Sequence, residues 1–85
     1  MINFISMLIL AFNLLTIAPT YQVKDAITGE ILCGVSVQTS SGKIFTDLDG
    51  HFTAHKGDTA TFSTISYQDT TMQLNNTVIY LKTVK

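Results

Sequence analysis

From residue 20 onward, polar and apolar residues alternate in short runs, each closed by a cluster of Gly, Asp, Asn or Ser. Alternation at period two sends one side chain inward and the next outward, which marks a half-buried strand. The first such run is 20–25, with Val23 between Gln22 and Lys24. Ala26-Ile-Thr-Gly-Glu30 then reads as a turn, with Gly29 free to take a positive φ. A second strand is predicted over 34–39, with Val35 and Val37 on one side and Ser36 and Gln38 on the other. Ser40-Ser-Gly42 turns the chain into a short strand over 43–46, and Asp47-Leu-Asp-Gly50 turns it again. The fourth strand, 51–55, points Phe52 and Ala54 inward. Lys56-Gly-Asp58 leads to a fifth over 59–66, with Ala60, Phe62 and Thr64 on one side. A sixth, 67–74, ends on Met72 and Leu74, and Asn75-Asn76 precedes a last strand over 77–82. Seven short strands at regular spacing predict a small antiparallel β-sandwich rather than βαβ units. No stretch after residue 20 has helical periodicity, and no repeat or second domain is evident.

The amino-terminal stretch differs in kind. The first charged side chain is Lys24, and between Phe4 and Ala18 only Ser6, Asn13 and Thr16 interrupt an apolar run. That run is shorter than the ~20 residues that cross a bilayer squarely, and it matches the ~7–15-residue apolar core of a secretory signal. No Lys or Arg precedes it, and Pro19 follows the small-residue exit Thr16-Ile-Ala18. Residues 1–20 are therefore read as a signal peptide, with an uncleaved membrane anchor as the alternative, and residues 21–85 as one β-sandwich domain. A core helix fits less well, since the segment is apolar on every side and lacks an amphipathic stripe.

Composition narrows the function classes. A domain of about 65 residues buries only about 60% of its unfolded surface, and a single cysteine, Cys33, gives it no internal disulfide. Stability must come from the strands, or from a partner. The net charge is −1 with five Lys and no Arg, so the basic footprint of a nucleic-acid binder is missing.

The turns and strands also carry a family pattern. Asp25-x-x-Thr-Gly-Glu30, Gly34-Val-x-Val37, Thr46-Asp-x-Asp-Gly-x-Phe52, Gly57-Asp58, Phe62 and Tyr67 occur in this order. Together they resemble the carboxypeptidase regulatory-like domain, over about residues 20–83. The resemblance implies a seven-stranded Greek-key sandwich of the transthyretin (prealbumin) type. It also implies a non-catalytic module, found beside some metallocarboxypeptidase domains and at the N-terminus of TonB-dependent outer-membrane receptors, directly after a signal peptide. The expectation here is a free-standing copy, without the receptors' transport function. Two positions depart from the family: Cys33 stands where Pro usually precedes Gly34, and Ser66 where Gly often precedes Tyr67.

Candidate chemistry is sparse. Asp47-Leu-Asp-Gly50 looks like part of a calcium loop, but the further oxygen ligands and terminal bidentate Glu of such loops are missing, and a turn is the expected role. His51 and His55 fall on one face of the predicted strand about 13 Å apart, too far for one metal ion, and are read as solvated. Cys33 is read as a small buried residue, with an intermolecular disulfide as the alternative. Asn75-Asn-Thr77 matches a glycosylation triplet and is read as the last hairpin turn. A catalytic triad needs a base and an orienting acid in reach, and the only two histidines lie in one strand. The Arg and C-terminal tail used by transthyretin-like hydrolases are also missing. No catalytic, cofactor-binding or metal-binding residue is assigned, and no cofactor.

The hydroxyl-rich stretch 59–71 is read either as a solvated face or as an edge strand that pairs with another protein. These features point to a non-catalytic module exported to the periplasm or outer membrane of a Gram-negative bacterium, or anchored in its inner membrane if residues 1–20 are kept. Its role would be a protein-interaction or scaffold subunit that meets an envelope protein through a strand edge or apolar patch. A small-ligand or glycan module is the second reading; it calls for clustered exposed aromatics, and with Tyr21, Tyr67 and Tyr80 as the only tyrosines and no Trp, glycan binding fits poorly. A remnant of a TonB-dependent receptor is the third.

Overall fold

The computed structural model describes residues 18–84. The predicted signal or anchor therefore lies outside the described residues, apart from its last three. Among those described, the chain forms seven strands and no helix: β1 (Thr20–Asp25), β2 (Ser36–Thr39), β3 (Gly42–Phe45), β4 (His51–Thr53), β5 (Thr59–Ser63), β6 (Thr70–Gln73) and β7 (Val78–Leu81). They make two sheets, one ordered β4-β1-β7 and the other β3-β2-β5-β6.

The inward faces follow the alternation. Tyr21, Val23 and Asp25 of β1, Val37 of β2, Ala60 and Phe62 of β5, and Ile79 and Leu81 of β7 are buried. Val35, Phe52 and Leu74 complete the core. Tyr21 stacks on Phe52 with ring centroids 5.3 Å apart, and Phe52 meets Phe62 edge-on at 5.7 Å, so aromatic contacts tie the two sheets together. Burial removes Tyr21 from the aromatic candidates for a ligand surface.

Three sequence expectations are corrected. The sandwich is not antiparallel throughout, because β7 runs parallel to β1, Val23 beside Ile79. The chain leaves the second sheet after β6 and enters the first beside its own opening strand, in the same direction. Next, the predicted strands 59–66 and 67–74 do not abut. β5 stops at Ser63 and β6 starts at Thr70, with Ser66 at φ 73° between them. The peptide groups of this connection are taken by neighbours: Tyr67 N–H donates to Thr64, Gln68 N–H to Lys82, and Val84 N–H to Ser66. Last, Cys33 is exposed rather than buried. It lies in the link before β2, where Leu32 supplies the side chain that packs against the core.

Two glycines are required by their surroundings. Gly34, at φ 70°, lets two residues face one: its N–H donates to Thr46 C=O, and the next N–H, of Val35, donates to Thr46 Oγ1. Such a bulge delays regular pairing until Ser36. Gly50 combines φ 74° with tight quarters, since an added Cβ would lie 2.5 Å from Ile31 Cγ2 and 3.0 Å from Val23 O.

Candidate functional site

Three places concentrate chemistry. The first is buried. Asp25 ends β1 with its Oδ1 accepting from the N–H groups of Ile27 and Thr28, at 2.7 and 2.9 Å. Its Oδ2 accepts from the Tyr67 hydroxyl at 2.6 Å. The Tyr67 hydroxyl, followed by the two peptide donors, holds the Asp25 carboxyl below the usual carboxylate range. The same bond, followed by burial and the negative charges of Asp25 and Glu30, raises the Tyr67 phenol above its ordinary value. The pair fastens the first turn to the β5–β6 connection. It explains why Tyr67 is half-buried, and Tyr80 alone of the three tyrosines is exposed.

The second place is the turn 47–50. Asp47 Oδ1 accepts from Asp49 N–H at 2.9 Å and His51 N–H at 2.8 Å, and Gly50 N–H donates to Asp47 C=O. This is the turn expected from Asp-x-Asp-Gly. The structure adds His51, whose ring nitrogen lies within 4.8 Å of a carboxylate oxygen on both Asp47 and Asp49. His55, expected on the same strand face as His51, falls beyond the end of β4. The His51 peptide N–H is the leading cause that holds Asp47 below the usual carboxylate range, and the imidazole charge adds to it. Asp47 is thus engaged by backbone donors, which is the work of a turn cap.

The third place is the side of the sandwich where the edges β3 and β4 meet. In an antiparallel ladder, bonded and non-bonded pairs alternate. Thr46 N–H donates to Val35 C=O, so Val37–Ile44 is the next bonded pair, and Lys43 and Phe45 turn their peptide groups away from β2. By the same reasoning from Val23 N–H to Gly50 C=O, His51 and Thr53 face outward on β4. The outward groups of His51 are already used, its N–H by Asp47 Oδ1 and its C=O by Asp47 N–H. Those of β3 have no partner among the described residues.

Between these edges runs an open groove of about 480 Å³, lined by Ile44, Phe45, Asp47, His51, Phe52 and Thr53 among others. Two of the lining side chains are apolar and exposed, Ile44 at 38% and Phe45 at 61%. Of the stretch 59–71, read in sequence as a solvated face or an interacting edge, β5 is an interior strand paired on both sides, while β6 is an edge of its sheet. Sequence reasoning missed β3 because its edge position depends on sheet order. The signal that could have flagged it is the adjacent pair Ile44-Phe45, since strict alternation leaves one of two neighbouring apolar side chains outside. Compared with family models, curated proteins and solved structures, the chain has no match.

Proposed function

We propose that the chain is a non-catalytic, exported β-sandwich of the carboxypeptidase regulatory-like type, with Greek-key connections and an amino-terminal signal or anchor helix. It serves as an interaction or scaffold subunit in the Gram-negative cell envelope, accessory to an outer-membrane complex. The observation that supports this most is the open edge of β3. Among the described residues the outward peptide groups of Lys43 and Phe45 have no partner, and Ile44 and Phe45 are exposed. Backbone groups that lack a ladder partner and apolar side chains that lack cover both favour a strand from another protein. The interior makes no such demand: among the described residues, no buried side-chain polar atom lacks a hydrogen-bond partner. Affinity for a partner therefore belongs to the surface.

Intact mass and fractionation of the native protein, followed by crosslinking in the envelope, test the proposal. The expected result is a mass lacking about twenty residues, protein in the periplasmic or outer-membrane fraction, and a crosslink to an envelope protein. A full-length mass in the inner membrane would replace the cleaved signal with the anchor. Recovery from the cytoplasm, with no envelope crosslink, would remove the proposal altogether.

A further inference from the structure

We propose that β3 is a self-pairing edge: two copies of this chain join antiparallel across Lys43 and Phe45 and fuse their four-stranded sheets into one. The second copy takes the same edge as the envelope contact proposed above, so the two occupants compete for β3.

The outward peptide groups of β3 belong to Lys43 and Phe45, two residues apart. A two-fold axis at Ile44 sets Lys43 of one copy opposite Phe45 of the other, and Phe45 opposite Lys43. These are the bonded pairs an antiparallel ladder requires. Ile44 then meets Ile44 of the second copy as the closer, non-bonded pair, covering a side chain that is 38% exposed in one copy. Each Lys43 ammonium comes to the exposed face of a Phe45 ring, a cation–π arrangement.

Charge selects the direction. Lys43 stands near one end of the strand, and Asp47 and Asp49 lie beyond the other. Antiparallel pairing puts Lys43 diagonal to Asp47 of the second copy, within reach of a long side chain. Parallel pairing would set like charges side by side. A lysine on an edge ordinarily discourages strand addition. Here it opposes a ring and an acid, so it discriminates between orientations.

The other edges fit less well. Asp47 occupies the His51 groups of β4. The outward positions of β6 are Thr71 and Gln73, both polar, and Gln73 C=O already accepts from Asn75. At the end of β7, Lys82 C=O accepts from Gln68. A contact between two strands of four residues each falls below the ~1,200 Å² of stable complexes, so the dimer is weak and concentration-dependent.

Sedimentation velocity over a concentration series, on the protein in the form its host retains, reads the dimer directly. Hydrogen exchange at the Lys43 and Phe45 amides reads its location. The expected result is a shift from monomer to dimer with concentration, accompanied by slowing of those two amides. Phe45→Pro removes an outward N–H that makes no bond to β2, and should abolish the dimer. Thr71→Pro does the same on β6 and should leave the dimer intact. If Phe45→Pro unfolds by circular dichroism, Lys43→Glu takes its place, with loss of the dimer expected at low salt. A monomer at every concentration overturns self-pairing and leaves capture of an envelope protein untouched. A dimer that survives a folded Phe45→Pro or Lys43→Glu variant, or that Thr71→Pro removes, overturns it as well.

Discussion

Thr46 shows how much one hydroxyl can hold in so small a domain. Its Oγ1 accepts from Val35 N–H at 2.9 Å and donates to Leu32 C=O at 2.8 Å, and the residue is buried. Thr46→Val keeps the shape but strands both groups, so it should cost about 2 kcal/mol in urea unfolding, whereas Thr46→Ser should cost much less. Asp25 and Tyr67 act at the same scale through charge. The Asp25 carboxyl titrates below its ordinary 3.8. Its contribution is therefore present above the unfolded value and is lost as pH falls through the lower folded value. Tyr67 titrates above its ordinary 10.0, so its contribution is present below the unfolded value and is lost as pH rises through the folded one. Tyr67→Phe should lower the melting temperature at neutral pH and move the Asp25 titration upward, as followed by carboxyl-carbon NMR. An unmoved Asp25 would mean that its peptide donors alone set its acidity.

At the scale of elements, the β5–β6 connection is where local preference and tertiary demand disagree. Residues 63–66 favour continued extension, yet Ser66 takes φ 73°. A left-handed conformation costs a non-glycine residue roughly 1–2 kcal/mol, and glycine there gives back roughly 0.5–1 kcal/mol in chain entropy. Ser66→Gly should therefore stabilise the domain by about 0.5–1 kcal/mol, seen as a higher denaturant midpoint with an unchanged slope. A lower midpoint would show that the Ser66 side chain contributes more than its backbone costs. The strain persists because Asp25, Lys82 and Val84 fix the connection from three directions. Most strand positions were legible from alternation, because period two reports burial directly. Strand ends were not, because the bulge at Gly34 and the turn at Ser66 depend on hydrogen bonds to residues distant in sequence.

At the scale of the molecule, the core among the described residues is ten buried apolar side chains, from both sheets and the segments that flank them. Phe62 sits on the central strand β5, fully buried, against Phe52 of the facing sheet. Phe62→Ala should remove about 3–5 kcal/mol. Native domains hold only about 5–15 kcal/mol in all, so this variant should be largely unfolded at 37 °C by near-ultraviolet circular dichroism. A cooperative, native-like melt would show a core that re-collapses around the gap.

The sequence alone determined the all-β class, the number of strands, the turns at Gly29, Gly42, Gly50 and Gly57, and most of the inward side chains. Each of these follows from interactions spanning a few residues: the two-residue period of a strand, the positive φ of glycine, the reach of an Asp side chain to nearby peptides. Tertiary structure alone decided which strands are neighbours, and with that everything at the edges. That β7 lies parallel to β1, that β5 is interior and that β3 is an edge are consequences of sheet order. Sheet order is set by competition among long-range pairings, and a side chain on an edge strand can carry the same local pattern as one in the middle.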